Sequence, residues 1–244
     1  MEIKFVNVNL DYKSEPLLID INLTFTSGTF YGIYGKSGVG KTTLLKSILD
    51  PSLIKSGKIL IDGQDTKTLS KKSFKKIKNE IAFLFQKPSL IDDLDVYSNI
   101  KYQLDSSYQN WFFKLFKILT KKQKTKLINI LEEMSIADKI YTPCKFLSGG
   151  EAQRVVLSSL FFEPKKIIFA DEPTTSLDRI NAQKIFADLK KYAINNNAIV
   201  LSVIHDVENS LDSVEHVIFL KDKHVYLDKK INEINKDELL KAYL

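Results

Sequence analysis

The sequence predicts an α/β fold in which strands and helices alternate around an inserted helical segment. Short apolar runs such as "KKIIFA" and "AIVLSVI" are typical of buried strands, and helical patterns separate them. From Pro88 to about Leu147 the pattern turns helical. A glycine-rich loop lies between one predicted strand and the helical pattern that follows it. This alternation favours an α/β core that carries a helical subdomain.

The predicted elements follow from local composition and turn signals. Ser27-Gly28 and Asp62-Gly63 are turn dipeptides, and the second is of the hairpin type. Strand patterns occupy residues 2–10, 17–25, 29–35, 57–65, 81–86, 165–172 and 198–206, with a hairpin at 216–228. Helical patterns occupy residues 71–80, 179–194 and 236–244. The length of 244 residues leaves open one domain or two small ones.

Composition limits the classes of partner and the compartment. The net charge of +6 is carried almost entirely by lysine, since Arg154 and Arg179 are the only arginines. This bias resembles the codon usage of an AT-rich genome, and we expect no nucleic-acid partner. The single cysteine, Cys144, excludes an internal disulfide and fits a reducing cytoplasm. No apolar run approaches the length of a transmembrane helix, so we expect a peripheral subunit if the protein works at a membrane.

The glycine-rich stretch "GKSGVGKTT" indicates a phosphate-binding loop. It fits the pattern G-x-x-x-x-G-K-[ST] through Gly35, Gly40, Lys41 and Thr42, with a strand before it and a helix after it. That context favours anion binding over a chance glycine turn, because it directs backbone N–H groups at one phosphate. Lys41 would neutralise the β- and γ-phosphates, and the Thr42 hydroxyl would bind Mg²⁺. The residues expected to hold a nucleoside triphosphate are Gly35, Lys36, Ser37, Gly38, Val39, Gly40, Lys41, Thr42 and Thr43.

Two carboxylates at the end of the apolar strand "IIFADE" predict hydrolysis of that nucleotide. A buried parallel strand delivers its last residues to the edge of the sheet where ligands bind. Asp171 would hold Mg²⁺, directly or through water, and Glu172 would polarise the attacking water. Alone, an acidic strand end before the turn at Pro173 would be equally consistent with a structural role. Together with the phosphate loop, it favours catalysis.

The stretch "LSGGEAQR" has two compatible interpretations. Ser148 and Glu151 form an S-x-x-E capping box, which is a routine start for a helix. Gly149 and Gly150 are poor residues for a first helical turn unless a ligand must approach the backbone closely. A second anion site in a chain with one nucleotide loop suggests that it completes the site of another copy.

These motifs together resemble the ATP-binding cassette of ABC transporters. "GKSGVGKT", "LSGGE", "IIFADE", "TTSLD" and "IHD" occur in the order of that family, and the likeness covers essentially the whole chain. "LSGG" is highly specific, whereas phosphate loops occur across many NTPases. The resemblance implies a P-loop NTPase (RecA-like) core with an antiparallel β subdomain and a helical subdomain. It also implies ATP and Mg²⁺ as ligands, and two cassettes with ATP between the phosphate loop of one and the signature of the other.

The resemblance further assigns roles and boundaries within one cassette that spans residues 1–244. It implies that Gln86 senses Mg²⁺ and the membrane partner, and that Asp178 joins the two sites. It also implies that His205 touches the γ-phosphate and that Tyr12 stacks on adenine. Glu151 stands where glutamine is common, and Ala170 where a larger residue is usual. The core and β subdomain are expected at residues 1–87 and 156–244, and the helical subdomain, ending in the signature, at 88–155.

An aromatic and basic insert narrows the resemblance to importers. One helical face carries apolar residues, and we favour packing within the subdomain over membrane contact; the face comprises Trp111, Phe112, Leu115, Phe116 and Leu119. The insert and its flanks are similar to ATP-binding subunits of phosphonate importers and to the matching ATPase of wall-less bacteria. This likeness implies a second or paralogous cassette, a membrane permease, an extracellular substrate-binding protein and a peripheral location on the cytoplasmic face. An exporter or lipoprotein-release ATPase, or a soluble cassette without transport, remains open.

Overall fold

The computed structural model describes residues 1–12, 15–103, 119–175 and 177–234, together with residues 239 and 242. The described strands are β1 Glu2–Tyr12, β2 Glu15–Thr26, β3 Thr29–Tyr34, β4 Ile54–Ile61, β5 Gln64–Asp65, β6 Ile81–Phe85, β7 Ile167–Asp171, β8 Ile199–Val203, β9 His216–Lys221 and β10 His224–Lys230. The described α-helices are α1 Lys41–Ser47, α2 Lys71–Asn79, α3 Val96–Gln103, α4 Lys121–Glu133, α5 Gly149–Phe162, α6 Arg179–Asn195 and α7 Val207–Ser210. Short 3₁₀ turns lie at Pro51–Leu53, Ala137–Lys139, Cys144–Phe146 and Ile231–Glu233.

The strands form two sheets of different character. A four-stranded sheet has the order β2-β1-β4-β5, and all of its pairs are antiparallel. A six-stranded sheet has the order β10-β9-β3-β8-β7-β6 and is parallel except for β10 at one edge. The turn at Asp62-Gly63 has positive φ at both residues, as a tight hairpin requires. The predicted α/β core with an antiparallel β subdomain is therefore confirmed.

The inner strands β3, β7, β8 and β9 of the large sheet are buried on both faces, which explains their continuous apolar sequences. Along β3, Phe30 and Tyr34 pack in a hydrophobic cluster with residues of α3, α4, α5 and α6. Tyr31 and Ile33 alternate with them and pack in a second cluster with the four-stranded sheet and α1. Successive side chains point to opposite faces of a strand, so one short strand joins both cores.

A helical region lies between β6 and β7, as the sequence predicts. α4 begins with a capping box between Thr120 and Gln123 and buries Leu127 and Leu131 against the helical core. The boundaries proposed for this subdomain remain a prediction. Of the apolar face predicted for the aromatic and basic insert, only Leu119 belongs to the described residues, where it is buried; the other residues of that face lie outside them.

The predicted C-terminal helix also lies mostly outside the described residues. Leu239 and Ala242 are described, and both are buried in the hydrophobic cluster that contains Phe30 and Tyr34. Within the described part of the chain, no helix is long and apolar enough to span a bilayer.

Candidate active site

Three neighbouring parallel strands deliver the predicted site residues to one edge of the large sheet. In register, Ile33 of β3 pairs with Val203 of β8, and Val203 pairs with Asp171 of β7. The glycine-rich loop follows β3, Glu172 follows β7 and His205 follows β8. Because carboxyl ends of parallel strands meet at one edge, residues that are far apart in sequence become neighbours here.

The glycine-rich loop requires its glycines for backbone reasons. Gly35, Gly38 and Gly40 all have positive φ, at 138°, 80° and 111°. A Cβ added to Gly35 would lie only 2.4 Å from the carbonyl oxygen of Leu220, so the loop passes too close to β9 for a side chain. Gly40 precedes α1 without any side-chain cap. The loop therefore presents backbone rather than side chains to the cleft.

The Lys41 side chain is held in place by two backbone carbonyl groups of the loop. Its Nζ donates to the carbonyl oxygens of Gly35 at 2.7 Å and Lys36 at 3.1 Å, and the residue is only 5% exposed. Burial lowers the pKa of this ammonium, while Glu172 and Asp171 act in the opposite direction. An ammonium has three donors, so its position is fixed while one N–H remains for an anion.

Thr42 and Asp171 place a hydroxyl and a carboxylate next to each other. The Thr42 hydroxyl donates to both carboxylate oxygens of Asp171, at 3.1 Å and 3.3 Å. Among the described residues no cluster of three or more His, Cys, Asp or Glu forms a self-sufficient metal cage. A hydroxyl and one carboxylate nevertheless fit Mg²⁺, which is usually bound by one or two carboxylates with substrate phosphates and water.

Gln86 lies at the same edge of the sheet, at the end of β6. It directly follows Phe85, the residue of β6 that pairs with Asp171, and its side chain is exposed. Gln86 does not line the cleft formed by the described residues. The structure thus places Gln86 one residue beyond the strand partner of Asp171 without bringing it into the cleft.

Glu172 and His205 form a hydrogen-bonded pair next to that metal-ligand pair. His205 Nε2 and Glu172 Oε1 are 2.7 Å apart, and Thr175 Oγ1 donates to the other carboxylate oxygen at 3.3 Å. Glu172 has a φ of +52°, which is uncommon for a residue with a side chain and is typical of strained positions at functional sites. Its N–H donates to the carbonyl of Val203 at 3.2 Å. These contacts fix a carboxylate at the sheet edge with both oxygens oriented.

Part of the glycine-rich loop and the Glu172–His205 pair line one open cleft of about 270 Å³, whereas Asp171 is not among the residues described as lining it. Tyr12, at the end of β1, is 53% exposed and contributes to the wall, as does Leu17, which the sequence analysis missed. The lining comprises Tyr12, Leu17, Ser37, Gly38, Gly40, Lys41, Thr42, Thr43, Glu172 and His205. The structure therefore brings together the loop, the Glu172–His205 pair and Tyr12, as the motifs predict.

The signature segment lies outside this cleft. Ser148 Oγ accepts from the Glu151 N–H at 3.3 Å, and Glu151 Oε2 accepts from the Ser148 N–H at 2.7 Å. The predicted capping box is thus confirmed, and the hydrogen bond from the Ser148 backbone lowers the pKa of Glu151. Ser148 and Gly149 are exposed, whereas Gly150 is buried. None of the four residues Ser148–Glu151 is among the residues described as lining the cleft.

Asp178 starts another helix outside the cleft. Its side chain accepts from the backbone N–H of Asn181 at 3.0 Å and caps α6. Asp178 is exposed, and hydrogen bonds from Asn181 lower the pKa of its carboxyl group. Two exposed helix starts, one at Ser148 and one at Asp178, therefore remain apart from the nucleotide cleft of the same chain.

Gln153 is a central residue that the sequence analysis missed. It is 1% exposed, and its Nε2 donates to the carbonyl oxygens of Phe85 at 3.3 Å and Pro173 at 3.0 Å. One side chain of α5 thus holds the residue before Gln86 and the residue after Glu172. A glutamine that only Arg154 separates from the apolar stretch "VVLSSLFF" was the available signal, because a buried amide needs partners.

Comparisons with known proteins agree with this geometry. A model of the ABC transporter family matches residues 18–175. The chain is 36% identical over 239 residues to "Probable ABC transporter ATP-binding protein p29" of Mycoplasma pneumoniae, covering 98% of this chain and 96% of that relative. It is 34% identical over 219 residues to "Phosphonates import ATP-binding protein PhnC" of Lactobacillus gasseri, covering 90% of this chain and 84% of the relative.

Solved structures give the same result for the fold. The ATP-binding cassette MJ0796, described as a dimer in a post-hydrolysis state bound to ADP and Pi, superposes with a TM-score of 0.75 at 29% identity. The match covers 94% of this chain and 98% of that chain. The structure of cbiO1 from Clostridium perfringens, part of the ABC transporter complex cbiONQ, gives a TM-score of 0.82 at 23% identity and covers 98% and 92% of the two chains. That second likeness concerns the fold alone.

Proposed function

Because the chain belongs to the ABC transporter family as an ATP-binding subunit that hydrolyses ATP, we propose that two copies close on ATP to drive an importer. The observation that supports the proposal is that the residues expected to contact ATP lie in two separate places on one chain. The nucleotide cleft holds Lys41, Thr42 and Glu172, while Ser148 and Asp178 lie at exposed helix starts outside it. A second copy, or a paralogous cassette, supplies the missing half in a head-to-tail dimer.

Within the cleft, each residue has a distinct task toward ATP. Tyr12 stacks on the adenine ring, and the backbone of the loop from Gly35 to Thr43 surrounds the phosphates. The Lys41 ammonium neutralises the β- and γ-phosphates, for which its two bonds to loop carbonyls hold it in position. Thr42 and Asp171 would hold Mg²⁺, with Gln86 as a further candidate ligand. Bound Mg²⁺ would neutralise the charge that develops on the phosphates during transfer.

Hydrolysis uses the carboxylate beside the phosphates. Glu172 accepts a proton from the water that attacks the γ-phosphorus, while the bond to the β-phosphate oxygen breaks and ADP leaves. His205 orients that carboxylate through its 2.7 Å contact and then turns toward the γ-phosphate. The positive φ of Glu172 supports this role, because the strained backbone directs the side chain at the sheet edge.

The partner copy completes the site through its exposed helix starts. Ser148, Gly149 and Gly150 present hydroxyl and backbone N–H groups to the γ-phosphate, and the Glu151 side chain keeps the first turn formed. Asp178 connects the two sites across the dimer. ATP closes the dimer, and hydrolysis reopens it.

A membrane permease converts this closure into transport. The cassette binds it peripherally on the cytoplasmic face, and the loop at Gln86 transmits the motion. Gln153 supports this coupling, since it holds the end of β6, the turn after Glu172 and the signature helix together. The names of the relatives, a phosphonate importer subunit among them, support an importer that receives an organophosphorus or phosphate-bearing cargo from an extracellular binding protein.

Purification from native membranes tests the transport assignment. The tagged chain should remain bound to a multi-span protein in detergent, and the complex should hydrolyse ATP. A tagged Lys41→Ala variant is the matched control, because loss of nucleotide binding should stop hydrolysis without removing the membrane partner. Recovery of an active cassette from the soluble fraction, with no multi-span partner, would contradict the proposal in favour of a soluble ATPase.

Reconstitution tests the cargo separately. The cassette, its permease and its binding protein are placed in liposomes, and ATPase stimulation is measured with phosphonates, phosphate esters, amino acids, peptides and metal ions. We expect stimulation by a phosphonate or phosphate ester. Stimulation by one of the other classes alone would refute the cargo class and leave the importer assignment in place.

A further inference from the structure

Asn181 binds both carboxylate oxygens of Asp178. Its backbone N–H donates to Oδ1 at 3.0 Å, and its side-chain Nδ2 donates to Oδ2 at 2.6 Å. The first bond alone is an ordinary helix cap for α6. The second bond fixes the rotation of the exposed carboxylate, and together they are the leading causes of the lowered pKa of Asp178.

The other end of the Asn181 amide faces the signature helix. Its Oδ1 accepts from Nη1 of Arg154 at 3.2 Å, and Arg154 lies one turn beyond Gly150 on α5. A Cβ at Gly150 would lie 3.5 Å from Cγ of Asn181 and 3.6 Å from Nη1 of Arg154, in direct contact with both. The start of α5 and the start of α6 therefore touch at this amide.

The chemistry of the neighbours determines which way the amide points. An acceptor must face the Arg154 guanidinium, and a donor must face the Asp178 carboxylate. The reverse orientation would oppose donor to donor and acceptor to acceptor. The chain Arg154–Asn181–Asp178 is thus a directional hydrogen-bond network between two helices.

We propose that Asn181 is a positioning residue that couples the signature segment Ser148–Glu151 to Asp178 within one copy. The two segments then face the partner copy as one unit, because displacement of one helix start breaks a bond to the other. This inference rests on the proposed function, in which both segments complete the partner's site. A purely local role is distinguishable, since capping of α6 needs only the backbone N–H of Asn181.

Hydrogen exchange of the full nucleotide-free chain tests the coupling. Asn181→Ala should raise amide exchange in both Ser148–Glu151 and the segment around Asp178 by about tenfold, the equivalent of one lost hydrogen bond. Asn181→Asp keeps an acceptor for Arg154 but loses the donor to Asp178. That variant should raise exchange only around Asp178. It should stay folded, because a carboxylate in the first turn of a helix interacts favourably with the helix dipole.

A matched control separates coupling from helix capping. Gln123 is also the third residue of its helix, α4, and its side chain accepts from the backbone N–H of Thr120. Gln123→Ala should leave exchange in Ser148–Glu151 and around Asp178 unchanged. If Asn181→Ala changes only the Asp178 segment, or neither segment, the coupling does not exist.

Dimerisation in a Glu172→Gln background tests the partner-facing half of the inference. Asn181→Ala should weaken ATP-dependent dimerisation by about tenfold or more, while ATP binding by the monomer stays unchanged. If the Glu172→Gln parent forms no ATP-dependent dimer, the proposed function fails, and the partner-facing half fails with it. If the parent dimerises and Asn181→Ala dimerises with equal affinity, the proposed function stands and the inference is overturned.

Discussion

Replacing Glu172 with glutamine isolates the charge of the predicted general base. The amide has the same shape, so its Oε1 still accepts from His205 across the 2.7 Å contact, and its new N–H can donate to Thr175 Oγ1 at the present 3.3 Å. Both neighbours remain satisfied, and we expect the free energy of unfolding to change by less than about 1 kcal/mol. Proton acceptance is lost. General-base catalysis is worth about two to four powers of ten, or roughly 3–5 kcal/mol of activation free energy.

The assay is phosphate release from saturating ATP, together with sedimentation of the ATP-bound protein. Glu172→Gln should keep ATP binding, release phosphate at least about a hundredfold more slowly and accumulate as a dimer. Glu133→Gln is the control, because Glu133 is an exposed partner of Lys191 at 3.8 Å and should behave like the parent. A Glu172→Gln protein that turns over within about threefold of the parent would refute the assignment of this carboxylate as the base.

Two further predictions concern the loop and the core. Gly35→Ala should destabilise the fold by about 2 kcal/mol or more and weaken ATP binding, because its Cβ would lie 2.4 Å from the Leu220 carbonyl oxygen. The control is Gly63→Ala, whose Cβ would meet nothing within 4 Å. Thermal denaturation should show that this control lowers the free energy of unfolding by only about 1 kcal/mol. Equal losses in the two variants would show that the loop tolerates a side chain. Burial raises the pKa of Tyr192 to about 12, so its contribution to stability is complete below pH 10 and is lost as the pH rises from 10 to 12. Denaturant titrations should show a fall of up to about 3 kcal/mol in that window that Tyr192→Phe lacks, and identical pH profiles would contradict it.

Much of the fold and of the cleft could be predicted because local patterns encode it. Buried parallel strands are apolar throughout, and the loop glycines adopt positive φ that other residues avoid, so "GKSGVGKTT" and "IIFADE" predict the placement that the structure shows. The alternation of β3 likewise places Phe30 and Tyr31 on opposite faces.

Contacts between elements distant in sequence could not be predicted in the same way. Gln153 bonds to carbonyls 68 and 20 residues away, and Asn181 bonds to Arg154 27 residues away. Such hydrogen bonds leave no periodic pattern in the local sequence, because they form only when helices pack against the sheet. Gln86 shows the opposite limit: the motif predicts a role toward Mg²⁺ and the membrane partner, but Gln86 does not line the cleft of the described residues, and that role stays a prediction.

The proposed dimer requires that Ser148 act on nucleotide held by another copy. Ser148→Arg puts a long cation at an exposed helix start that lies apart from the cleft of its own chain. The decisive measurement is equilibrium ATP binding combined with sedimentation, performed on Glu172→Gln and on the Glu172→Gln, Ser148→Arg double variant. We expect an ATP-bound dimer for the first protein and an ATP-bound monomer for the second. Loss of ATP binding by the double variant, or an undisturbed dimer, would contradict it.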